Sequence, residues 1–102
     1  MYGLDETTIK AIQTVFEQYP AINKAVIYGS RAKGNSRKNS DIDLTLVGDD
    51  LGLDTLFKIE NQVDDLLLPY KIDLSILHKI DNEDLVEHIN RVGKTFYCSN
   101  RQ

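Results

Sequence analysis

Two aspartates one residue apart, Asp41 and Asp43, give the first chemical signal in this chain of 102 residues. They open the run Asp41-Ile42-Asp43-Leu44-Thr45-Leu46-Val47. Upstream stands a small-residue turn, Gly29-Ser30, followed by Arg31, Lys33 and Gly34. Six loop-forming residues, 35 to 40, bridge the two parts and carry Arg37 and Lys38. Few purely structural needs would place a glycine turn, a basic patch and paired carboxylates so close together. A site for a metal-bound polyphosphate uses all three.

Aspartates at i and i+2 of a strand project to one side, about 7 Å apart along the chain. A third carboxylate, Asp73, lies in a run with the same alternation, Lys71-Ile72-Asp73-Leu74-Ser75-Ile76-Leu77. If the two strands are neighbours, Ile42, Leu44 and Leu46 pack beside Ile72, Leu74 and Ile76, and Asp41, Asp43 and Asp73 share the opposite face. Three carboxylates on one face repel one another without cations. Mg²⁺ takes oxygen ligands and is usually held by one or two carboxylates plus substrate phosphates. Two such ions about 4 Å apart can hold the attacking and leaving oxygens of an in-line displacement. Asp41, Asp43 and Asp73 are therefore the expected metal ligands and catalytic residues. Gly29 lets the backbone approach a phosphate, and Ser30 can donate a hydroxyl hydrogen bond. Arg31, Lys33, Arg37 and Lys38 are available to neutralise a triphosphate.

The elements that must position these groups follow from periodicity. Residues 5 to 18 read as a helix, capped by Asp5, with Ile9, Ile12, Val15 and Phe16 on one side and Pro20 beyond its end. Ala25 to Tyr28 is a short apolar strand. Ser30 to Gly34 can form a short helix. Asp41 to Val47 is an alternating strand. A second long helix runs from about Asp54 to Leu67 before Pro69. Lys71 to Leu77 is the next strand. Asp81 or Asn82 caps a further helix with Leu85, Val86, Ile89 and Val92 as its stripe, and Gly93 is its expected C′ residue. Lys94 to Cys98 is the last strand. This order gives a single α/β (α+β) domain over residues 1 to 102, a small mixed sheet of about four strands covered by helices.

Composition narrows the partners. A net charge of −4 argues against general nucleic-acid binding, which needs a basic footprint. The single cysteine, Cys98, excludes an intramolecular disulfide. The N-terminus has no basic or apolar signal region, and no apolar run approaches a membrane span, so a cytoplasmic location and no membrane contact are expected. His78 and His88 lack metal-ligand spacing and read as surface or boundary residues.

Gly29-Ser30-Arg31-Ala32-Lys33-Gly34, six residues, then Asp41-Ile42-Asp43-Leu44, resembles the signature of the DNA polymerase β-type nucleotidyltransferase superfamily. The chain is most similar to the minimal nucleotidyltransferases, the small MNT proteins of prokaryotes. Gly48, Pro69-Tyr70-Lys71-Ile72-Asp73-Leu74 and the stretch from Val92-Gly93 to Phe96-Tyr97 extend the likeness over nearly the whole chain. The resemblance implies a polymerase β-like fold and residue roles. Asp41 and Asp43 would bridge two Mg²⁺, Asp73 would bind the ion that activates the attacking hydroxyl, and Gly29 and Ser30 would cradle the β- and γ-phosphates of ATP. Arg31 and Lys33 would support phosphate or partner contacts. It further implies an antitoxin that transfers AMP to a hydroxyl, often a tyrosine, of a HEPN-domain toxin partner. Two other readings stand beside it. The chain could neutralise its partner by binding alone, with metal and nucleotide as structural ligands. It could also modify a small hydroxylated molecule, if a homo-oligomer builds the acceptor pocket.

Overall fold

The computed structural model describes residues 2–34 and 41–99. Arg37 and Lys38 lie outside the described residues. Nine elements follow one another: α1 (Glu6–Glu17), β1 (Lys24–Tyr28), α2 (Ser30–Lys33), β2 (Ile42–Val47), α3 (Leu53–Asp64), β3 (Ile72–Ile76), a 3₁₀ turn (Leu77–Lys79), α4 (Glu83–Val92) and β4 (Lys94–Cys98). The strands form a mixed sheet in the order β3-β2-β1-β4. β1 runs antiparallel to β2 and β4, and β2 runs parallel to β3.

α1 starts where Asp5 accepts from the Thr8 amide, the N-cap geometry that satisfies an otherwise orphaned donor. Its buried Ile12, Val15 and Phe16 face Leu56, Ile59 and Val63 of α3 and the apolar side of the sheet. That side is Ala25 and Ile27 of β1 with Ile42, Leu44 and Leu46 of β2, all completely buried. Phe96 of β4 joins them edge-on to Phe16, ring centres 6.4 Å apart. Tyr19 and Gln18 hydrogen-bond Gln62, tying α1 to α3. The apolar positions of the alternation are thus the core face of the sheet, while Thr45, at a polar position of β2, is completely buried as well.

α4 lies on the other side of the sheet. Asn82 caps it by accepting from the Leu85 amide. Its buried Ile89 meets Val26, and Gly93 joins it to β4. Gly93 departs from the expected C′ role. Its φ of −64° and ψ of 146° are extended, not left-handed. Glycine is needed there because a Cβ would lie 2.6 Å from Val26 Cγ1 and overlap the Ile89 carbonyl. α3 also ends earlier than Pro69 suggests. Leu67 takes a φ of 54° and turns the chain back toward β3. Cys98 is exposed. Among the described residues no helix is long and apolar enough to cross a membrane.

Candidate active site

Parallel pairing of β2 with β3 sets Asp43 directly beside Asp73, register partners on adjacent strands. Asp41 precedes β2 by one residue and is exposed. The same register pairs Thr45 with Ser75, whose hydroxyl donates to the Thr45 hydroxyl at 2.9 Å. On the other side of β2, antiparallel pairing brings Tyr28 opposite Asp43. These groups occupy the sheet face that α4 only partly covers. Asp43 and Tyr28 are half-buried and Asp73 is exposed, so the face is a shelf open at the Asp73 end.

The electrostatics follow from that packing. Burial pushes the Asp43 carboxyl above its ordinary value, the charges of Asp73 and Asp41 and a hydrogen bond with Asp73 add to this, and His88 opposes it. Burial also raises Tyr28, with Asp43 and Asp73 adding to it, while a hydrogen bond with Ser75 pulls the other way. Tyr28 therefore presents a neutral phenol whose hydroxyl ties into the Ser75–Thr45 pair behind the carboxylates.

Gly29 forms the lip of the shelf. It caps α2 with a φ of 76° and a ψ of −153°, and a Cβ there would sit 2.6 Å from Asp43 Oδ2. Glycine is required both for the left-handed backbone and for this close approach. Ser30 follows, half-exposed, at the start of a four-residue helix that ends with Gly34 at φ 80°. So short a helix adds little dipole; its contribution is the turn.

The basic residues separate. Lys33 is exposed on the last turn of α2. Arg31 is only 2% exposed, and its Nη1 donates to the Tyr2 carbonyl at 2.9 Å. Its guanidinium also lies 5.0 Å from the centre of the Tyr70 ring. Through these contacts the side chain braces α2 against the N-terminal segment and the entry to β3.

Among the described residues no three His, Cys, Asp or Glu side chains are gathered into a ready cage for a metal ion. The donor set nonetheless suits one. Asp43 and Asp73 are adjacent carboxylates whose repulsion already holds a proton on Asp43 more tightly, and a hard cation with oxygen preference would relieve that repulsion. Asp41, Asp43 and Asp73 are the residues that could hold it.

Three further residues stand beside the carboxylates, of which the sequence signals only Ser75. Tyr28 reads as the end of an apolar strand until its partner is known to be Asp43. Ser75 shares the face of Asp73 by period two, a signal present in the sequence. His88, which reads as a boundary residue, faces Tyr28 with ring centres 6.2 Å apart and lies close enough to Asp43 to affect its charge. Only the docking of α4 reveals it.

Comparison with known proteins agrees with this fold. None of the curated proteins matches the chain significantly. Solved structures do. A toxin–antitoxin crystal structure with AMP-PNP matches with a TM-score of 0.70 and 21% identity, covering 95% of this chain and 76% of the other. The MntA–HepT toxin–antitoxin matches at 0.68 and 18%, covering 93% and 74%. A tri-AMPylated Shewanella oneidensis HEPN toxin in complex with MNT antitoxin matches at 0.68 and 17%, covering 97% and 74%. At these identities the likeness is one of fold. The family model for polymerase β nucleotidyltransferases matches residues 10–102. With nine-tenths of its length inside that match, the chain belongs to the polymerase β nucleotidyltransferase family.

Proposed function

We propose that this nucleotidyltransferase transfers AMP from ATP, with Mg²⁺, to a hydroxyl of a HEPN-type toxin, a tyrosine by resemblance, and so acts as its antitoxin. The observation that carries the reading is the register of Asp43 against Asp73 with Gly29 at their edge. The solved structures most like it include toxin–antitoxin complexes, one with AMP-PNP and one with a tri-AMPylated HEPN toxin.

In this reading Gly29 and Ser30 hold the β- and γ-phosphates at the end of β1. Asp41, Asp43 and Asp73 would hold two Mg²⁺, which when bound supply charge neutralisation at the transferring phosphate and lower the pKa of the acceptor hydroxyl. Asp73, on the strand farthest from Gly29, marks the acceptor side. The acceptor oxygen bonds to the α-phosphorus, the bond from that phosphorus to the bridging oxygen breaks, and pyrophosphate departs with the electron pair. The acceptor proton passes to a carboxylate or to water. Tyr28 and the Ser75–Thr45 hydroxyl pair fix the wall behind the carboxylates and keep its hydrogen bonds satisfied.

The test is intact mass spectrometry of the partner after incubation with the chain, ATP and Mg²⁺. Increments of about 329 Da, one AMP residue each, are expected, and none with Asp43→Asn. A partner that binds but stays unmodified sinks the reading. An Asp43→Asn chain that still neutralises the toxin would instead mean neutralisation by occlusion.

A further inference from the structure

The two edges of the sheet are treated differently. At the β4 edge, side chains occupy main-chain acceptors: Tyr2 donates to the Thr95 carbonyl at 3.1 Å and Gln13 to the Phe96 carbonyl at 2.8 Å. β3 forms the opposite edge, and among the described residues no strand pairs with its outer side. The Ile42 amide donates to the Lys71 carbonyl at 2.9 Å. In a parallel ladder that phase turns the main-chain groups of Asp73 and Ser75 toward β2, and those of Ile72 and Leu74 outward. β3 pairs with β2 without a bulge and contains no proline, so two of the devices that blunt a sheet edge are missing from it.

A groove runs beside this edge. Glu60 and Asp64 of α3 form one wall, and Ile72 and Leu74 of β3 the other. It continues into a cavity of ≈ 360 Å³ that Lys71 and Asp73 help to line, so it reaches the candidate site at Asp73. At its other end α3 exposes two large apolar side chains, Leu53 at 55% and Phe57 at 59%. Leu53, Phe57, Glu60 and Asp64 are spaced i, i+4, i+7 and i+11, one stripe of a helix. α3 begins just after β2 and ends before β3, so the acidic end of the stripe lies toward the Asp73 end of β3, where Glu60 and Asp64 line a cavity with Asp73, and the apolar end points the other way along the strand.

We propose that this groove docks the acceptor as an extended segment of the partner protein, added to β3 as an outer strand. The proposal rests on the transfer reading above. Main-chain hydrogen bonds to Ile72 and Leu74 would supply affinity, as in strand addition to other open edges. A basic residue of the segment would meet Glu60 and Asp64, whose two negative charges outweigh Lys71. An apolar residue would cover Leu53 and Phe57. The hydroxyl-bearing residue then follows at the Ile72 end, where Asp73 stands on the side of the carboxylates away from Gly29. That is the side from which an in-line attack on the α-phosphorus must come.

The experiment uses the full chain and the purified HEPN-type partner. Hydrogen exchange should slow at Ile72 and Leu74 when the partner is added; unchanged exchange at β3 in a formed complex overturns the proposal. Leu53→Glu/Phe57→Glu and Asp64→Lys change exposed positions. Each should raise the KM for the partner about tenfold or more, the cost of losing an interface anchor, with kcat and AMP-PNP affinity unchanged. An unchanged KM, or a chain that is dimeric by light scattering and made monomeric by these variants, overturns it. If the wild-type chain transfers no AMP, the transfer reading fails, while partner binding and β3 exchange still decide the groove.

Discussion

The α-carbon of Gly29 and the carboxylate of Asp43 are so close that a Cβ on residue 29 would lie 2.6 Å from Oδ2. The Gly29-Ser30 turn and the carboxylate pair are therefore one constructed unit, with no room for a side chain between them. Gly29→Ala must displace Asp43 and strain a backbone at φ 76°. The left-handed strain alone costs about 1–2 kcal/mol. Displacing Asp43 from its place beside Asp73 should weaken Mg²⁺-dependent AMP-PNP binding at least about tenfold, equivalent to one such interaction. Calorimetric titration of the folded variant checks this; undiminished binding would show that the turn and carboxylate work separately.

Asp43 should cost the metal-free chain stability at neutral pH. Its folded pKa is raised above the ordinary 3.8, chiefly by burial and then by Asp73 and Asp41. Below that ordinary value the carboxyl is protonated in both states and costs nothing. As pH rises the unfolded chain releases its proton first, so stability falls until the folded group ionises as well. Above that point the full penalty remains. Asp43→Asn should therefore raise the melting temperature at pH 7 by a few degrees, less than the roughly 4–8 °C that 1 kcal/mol gives a domain of this size, since the group is only partly buried and solvent screens its charge. The variant should lose the acidic part of the stability profile and most of the stabilisation by Mg²⁺. Scanning calorimetry between pH 3 and pH 7, with and without Mg²⁺, measures both.

The two alternating runs made most of this readable beforehand. Period two placed Ile42, Leu44 and Leu46 on a buried face and Asp43 on the other without knowledge of the topology. The chain order could not say that β2 and β3 run parallel in register, and that relation makes Asp43 and Asp73 a pair. The burial of Arg31 was not readable from the chain, because side-chain direction on a four-residue helix depends on what the helix packs against. Tyr28 and His88 were hidden for the same reason: each joins the shelf only through a partner distant in sequence.

Arg31 and Lys33 should separate cleanly by experiment. Arg31→Ala leaves the half-buried Tyr2 carbonyl without this donor and removes the guanidinium from the Tyr70 ring. A hydrogen bond of this kind contributes about 0.5–1.5 kcal/mol. Chemical denaturation should show that loss, with nucleotide affinity of the folded protein little changed. Lys33→Ala, at an exposed position, should leave stability within about 0.5 kcal/mol and weaken AMP-PNP binding. The reverse pattern would return Arg31 to the phosphates.

Leu67 offers the opposite kind of test, a gain. It is 87% exposed and holds a φ of 54°, a region a branched side chain enters at a cost. Its amide donates to the Asp64 carbonyl, closing the turn that ends α3 and aims the chain at β3. Asparagine tolerates this backbone far better and keeps that amide. Leu67→Asn should therefore stabilise the chain by about 0.5–1 kcal/mol, a fraction of the left-handed penalty. Because the register of Asp43 against Asp73 is set within the sheet, downstream of this turn, the gain should come with unchanged AMP-PNP affinity. Denaturation and titration of the same preparation test both halves. A loss of stability would mean that the leucine side chain makes an apolar contact worth more than the strain it carries.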